Sequence, residues 1–101
     1  MIFFLFFGYM FSNDIRYDLI RVNYKNGNIK YFRDIFKYVP RSVIARDLGT
    51  RVRRFNRMID KMEHLTFSDM SLIATFCKMD EIIIIRLAEK EYLSLKQVTK
   101  R

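Results

Sequence analysis

The stretch ARDLGTRVRRFNRMID, residues 45–60, decides how this chain is read. A small residue, Ala45, and a glycine, Gly49, stand four apart. Arg51, Arg53, Arg54 and Arg57 then follow within seven residues, with no acid between them. The spacing predicts a short helix stopped by Gly49 and a second helix over residues 51–60. With Arg51 at zero and about 100° per residue, Arg53, Arg57 and Arg54 fall between about 200° and about 300°. Phe55 and Met58 fall at about 40° and about 340°. One arc is guanidinium, and the other seats Phe55 and Met58 on a core. Val52 and Ile59 mark its edge.

Such a helix is unfavourable alone. Arg53 and Arg57 are like charges four apart, which costs roughly 0.2–0.5 kcal/mol. Arginines in the first turn oppose the positive end of the helix dipole, at roughly 0.3–1 kcal/mol each when exposed. The arrangement makes sense where that end meets dense negative charge. Residues 41–57 hold six arginines and one acid, Asp47, a net charge of +5; residues 58–95 sum to −3. The positive charge is focused rather than spread.

The whole chain of 101 residues carries +8, is 50% apolar and 16% aromatic, and has three glycines and one proline. That describes one folded domain with a modest core and an anionic partner, and argues against a many-turned β fold. Cys77 is the only cysteine and His64 the only histidine, so neither an internal disulfide nor a standard zinc site can form within the chain. A reducing, cytoplasmic location is the default expectation.

We read one domain over residues 13–95, all-α: a compact bundle of four to five helices, with helical segments at about 14–25, 29–38, 41–48, 51–60, 67–77 and 81–95. Ile15, Leu19 and Val22 give the first helix its core face, Ser12 or Asn13 its cap, and Gly27 its left-handed end. A hairpin turning at Asn26-Gly27 is the rival reading there; the helical pattern downstream favours the helix. Ile29, Phe32, Ile35, Phe36 and Val39 line the next face, and Pro40 opens the following helix at its first position. Ile44, Ala45 and Leu48 face inward. Thr50 is expected to cap the helix after Gly49. Thr66 with Asp69 forms a capping-box-like start for a helix facing inward through Met70, Ile73, Ala74 and Cys77. Asp80 can cap the last helix. One of that helix's apolar faces, through Ile82 and Ile85 or through Ile84, Leu87, Ala88 and Glu91, completes the core. The other is left for a twin subunit.

The ends stand apart. The segment MIFFLFFGYMF is too short to span a bilayer, which takes ~20 residues, and lacks the flanks of a signal peptide. Residues 1–12 are expected to be a tail outside the domain, or the result of a start read too early with Met10 the true one. A membrane-surface foot is the weaker alternative. Residues 96–101 read as a basic tail.

A short helix, a tight turn and a second helix bearing arginines form the plan of a helix-turn-helix. Residues 41–60 resemble the twenty-residue motif of phage Cro and repressor-type regulators, the XRE-like class. Ala45, Gly49 and Phe55 stand where that pattern wants a small residue, a glycine and a large apolar residue. LTFSDMSLIATFCKMDE is similar to the helix and turn that follow in that class, and FRDIFKYVPRSVIARDLG to small regulators from Bacteroidetes and their mobile elements. The match spans residues 29–92. No short glycine-containing turn follows the second helix; DKMEHL stands there instead.

The resemblance implies a double-stranded DNA partner and a regulator, repressor-like and without catalysis, acting as a homodimer beside the bacterial nucleoid. Arg51, Val52, Arg53 and Arg57 would face base edges, and Arg41, Arg46, Thr50 and Arg54 phosphates. Arginine reads guanine through O6 and N7, and Val52 either touches a thymine methyl or is buried at the core edge. A non-enzymatic protein-binding module on the same fold, antitoxin-like or a phage accessory factor, is the alternative. No cofactor, metal, small-molecule ligand or membrane partner is expected. Cys77 reads as core and His64 as a surface or capping residue. The scattered aspartates offer no acid–base pair.

Overall fold

The computed structural model describes residues 14–99. It is all-α: α1 Arg16–Lys25, a 3-10 helix Phe32–Lys37, α2 Arg41–Leu48, α3 Val52–Lys61, α4 Phe67–Cys77 and α5 Glu81–Thr99. No strand occurs among the described residues, so Asn26-Gly27 is a helix end and not a hairpin; Gly27 takes a left-handed φ of 81°. The expected tail and the caps at Ser12 and Asn13 lie outside the described residues. α5 runs to Thr99, past the expected residue 95 and into what reads as a basic tail.

α4 is the central strut. It packs against α5, α1 and α2, while α3 leans on α2 and the 3-10 helix on α5. Its start is closed by the expected box: Asp69 N donates to Thr66 Oγ1 at 3.1 Å and Thr66 N to Asp69 Oδ2 at 3.2 Å. Its core face is Met70, Ile73, Ala74 and Cys77, joined by Phe76. Asp80 Oδ1 accepts from Ile82 N at 3.0 Å at the head of α5. Ile84, Leu87, Ala88 and Glu91 are the face of α5 that is buried, and Ile82 stays out.

Two expectations are overturned. The core face of α1 is Tyr17 and Ile20, with Tyr24 packed beside them; Ile15, Leu19 and Val22 are exposed. The helix carries two apolar stripes, and tertiary partners choose between them. Tyr17 packs on Phe76 at 5.4 Å between ring centroids and donates its hydroxyl to Asp47 Oδ2 at 2.8 Å. Arg21 Nη1 reaches the Cys77 carbonyl at 3.1 Å. The segment expected as a helix over 29–38 is a 3-10 helix that begins only at Phe32. Asp34 Oδ2 draws in the Lys30 and Tyr31 amides at 2.9 and 3.0 Å, which holds the chain extended at Tyr31 before the turn.

Among the described residues Glu91 is the charged side chain that is buried, and it is paired. Its Oε2 takes Arg33 Nη1 at 2.9 Å and its Oε1 takes the Arg33 amide at 3.1 Å. A carboxylate at the start of a helical turn satisfies amides that have no partner within the turn. The contact fixes the 3-10 helix on α5. No buried side-chain nitrogen or oxygen among the described residues lacks a hydrogen bond.

Candidate nucleic-acid interface

The turn between α2 and α3 is built by backbone rules. Gly49 takes a φ of 79°, its amide donates to the Arg46 carbonyl at 3.0 Å, and the Thr50 amide reaches back to the Ala45 carbonyl at 2.9 Å. This is the glycine closure of a helix end. Thr50 is not the cap of the next helix, as expected from its side chain: the first amide bond of that helix, from Phe55, is accepted by the Arg51 carbonyl at 2.9 Å. Arg51 occupies the cap position in extended conformation, with no side-chain cap bond. Pro40 likewise stands at the cap of α2 and not at its first helical position.

Ala45 is buried at the crossing, and Phe55 is fully buried and meets Phe36 edge-on at 6.0 Å. Met58 and Ile59 complete the inner face of α3. Val52 is 42% exposed, so the core-edge reading of that residue is overturned.

The outer face gathers Arg51, Arg53, Arg54 and Arg57, all exposed. None of the four makes an ion pair or a side-chain hydrogen bond among the described residues. No acid lies in the first turn of α3. Arg53 and Arg54 therefore hold their charges at the positive end of the helix dipole with no ion pair among the described residues to offset them.

The other basic residues differ. Arg46 stays largely exposed with Nε 3.2 Å from Asp47 Oδ1. Asp47 is the carboxylate that also receives Tyr17, so α1 steadies the end of α2. Arg41 is half-buried. It lies over the Phe36 ring at 4.8 Å and donates Nη1 to Asn56 Oδ1 at 3.2 Å, which makes it a brace between α2 and α3. Thr50 is half-buried in the turn.

Three residues, Asn56, Lys61 and His64, are not placed on this face by the sequence, His64 being expected only as a surface or capping residue. Asn56 lies on the outer half of α3, and its angular position, about 140° from Arg51, was a usable signal. Lys61 and His64 join Arg54, Arg57, Met58 and Asp60 around a shallow concavity of about 450 Å³. That concavity arises because Met62 ends α3 at a left-handed φ of 62° and turns the chain back. No spacing rule announces a left-handed methionine.

Perturbed groups lie away from this face. The Arg16 guanidinium and amide beside Asp14 hold its carboxyl down at about 2. Burial pushes the Cys77 thiol up to about 12. Burial and the Asp47 hydrogen bond raise the Tyr17 phenol well above its ordinary range. No group of three or more histidine, cysteine or acidic side chains placed to hold a metal occurs among the described residues. No helix among them is long and apolar enough to cross a membrane. Comparison with protein-family models, curated proteins and solved structures returned no match.

Proposed function

We propose that this chain is a sequence-specific double-stranded DNA-binding regulator, repressor-like and non-enzymatic, in which α2 and α3 form a helix-turn-helix and α3 enters the major groove. The observation that carries the reading is the row of exposed arginines on α3, none ion-paired among the described residues. A solvated helix gains from acids in its first turn; this one has none. A duplex offers dense phosphate charge, and its major groove admits a helix of this width. Arg53 and Arg57 read base edges, with Arg51 and Val52 beside them. Arg54 and Arg46 hold phosphates. Two copies acting on a two-fold operator in the bacterial cytoplasm belong to the same proposal.

The test is selection of bound duplexes from a random pool, followed by titration of the winner at two salt concentrations. The expected result is a palindromic consensus and an affinity that falls steeply with salt. Absence of any salt-sensitive duplex binding overturns the reading in favour of a module that binds an acidic protein.

A further inference from the structure

We propose that the shallow concavity at the C-terminal end of α3 binds a nucleoside phosphate, and that this ligand competes with the duplex for Arg54 and Arg57. Arg54, Arg57, Met58, Asp60, Lys61 and His64 line about 450 Å³, within the ~300–1,000 Å³ of small-molecule sites. The competition rests on the DNA reading; the binding does not. Arg54, Arg57 and Lys61 stand three and four apart, so they form one stripe along α3. The left-handed Met62 ends that helix, and His64 follows it on the rim of the same concavity. All four basic side chains are exposed, and none makes an ion pair or a side-chain hydrogen bond among the described residues. A guanidinium meets two phosphate oxygens at once, and an ammonium adds a point charge.

A phosphate alone does not account for this lining. Asp60 is also exposed, and it too makes no ion pair or side-chain hydrogen bond among the described residues. An ionised carboxylate only accepts hydrogen bonds, and it repels a phosphodiester strand laid along the concavity. Met58 adds an apolar, polarisable floor. A nucleoside phosphate supplies what each group requires. Its phosphoryl oxygens meet Arg54, Arg57 and Lys61, its ribose hydroxyls donate to Asp60, and its base offers Met58 a flat apolar face. The His64 ring adds one more donor at the rim. Arg54 and Arg57 cannot hold this ligand and a duplex together, so the occupied protein releases DNA.

The experiment uses the full chain with labelled methionine methyls, titrated at low ionic strength with adenosine 5′-diphosphate and, separately, with inorganic pyrophosphate. Met58→Leu identifies the Met58 signal. Expected are saturable nucleotide binding and a ring-current shift of the Met58 methyl that pyrophosphate does not produce. Asp60→Ala should weaken the nucleotide about tenfold, since a hydrogen bond to a charged acceptor is lost. The same change should tighten pyrophosphate, since a like charge is gone. If Asp60→Ala tightens both ligands, or the Met58 methyl ignores the nucleotide, the proposal is overturned in favour of a bare anion patch or the seat of a strand phosphate. Nucleotide binding unmoved by Lys61→Ala with His64→Ala overturns it as well. In a second arm the nucleotide is titrated into the complex with the selected duplex, at constant ionic strength. Release of the duplex over the range that saturates Met58 is expected; simultaneous occupancy overturns the competition. If the chain binds no duplex at all, the DNA reading falls, and the Met58 and Asp60 results decide the site by themselves.

Discussion

Arg41 Nη1 stands 3.2 Å from Asn56 Oδ1 while the same guanidinium lies over the Phe36 ring, so the first residue of α2 is tied at once to the middle of α3 and to the 3-10 helix. Asn56 thereby spends its acceptor inside the protein and keeps its amide hydrogens for the outer face of α3. A double-mutant cycle of Arg41→Ala and Asn56→Ala, read by urea unfolding, should give a coupling of about 1 kcal/mol. Arg41→Lys should recover little of it, because an ammonium does not stack flat on the ring. Additive single changes would remove the brace from this account.

Arg53→Ala and Arg57→Ala should each lose about 1–3 kcal/mol of affinity for the selected duplex and relax preference at one base position. Arg54→Ala should weaken all duplexes alike and flatten the salt slope by about 1. Titrations against the consensus and its single-base variants separate the two classes. Equal losses on every duplex for Arg53→Ala would move that residue to the phosphates.

Gly49→Ala should destabilise the fold by about 1–2 kcal/mol. A Cβ at Gly49 meets nothing within 4 Å, so the cost is conformational, from the φ of 79°. Gly49→Asn should cost less, because asparagine tolerates the left-handed region. Chemical denaturation of the three proteins ranks them; a crowding effect would instead make asparagine the worse substitution.

Cys77 is fully buried with its thiol pushed up to about 12, so a thiol reagent at pH 8 should modify it only at the rate at which the core opens. Tyr17 and Cys77 both have folded-state pKa values raised above their ordinary ones. Protons are then held more tightly in the folded state, so this stabilisation is complete below about pH 9 and lost as pH rises through the folded values. Urea unfolding at pH 8, 9.5 and 11 should show a falling midpoint, and Tyr17→Phe should flatten the fall. A midpoint unchanged at pH 11 would contradict the linkage.

The helices at 41–48 and 67–77 were legible because local chemistry marks both ends: Pro40 and Gly49 for one, the Thr66–Asp69 box and the segment before Asp80 for the other. The face of α1 was not. Ile15, Leu19 and Val22 form as good a stripe as Tyr17, Ile20 and Tyr24, and the choice belongs to Asp47 and Phe76, which are distant in sequence. The cap of α3 is not legible from side-chain type either. Thr50 has the better capping side chain, but it stands within the turn that closes α2, and the helix starts one residue later, at the Arg51 carbonyl. The arginine arc followed from angular spacing alone; Lys61 and His64 did not, since they depend on the left-handed Met62.

The uncompensated arginines of α3 make the free protein less stable than its contacts alone would have it, since mutual repulsion and the dipole both act against the native state. Whatever multivalent anion relieves that repulsion binds the native form in preference to the denatured one, and so raises the melting temperature by mass action. Thermal resistance in a polyphosphate buffer, compared with chloride of equal ionic strength, is therefore a direct gauge of how much frustration this helix retains.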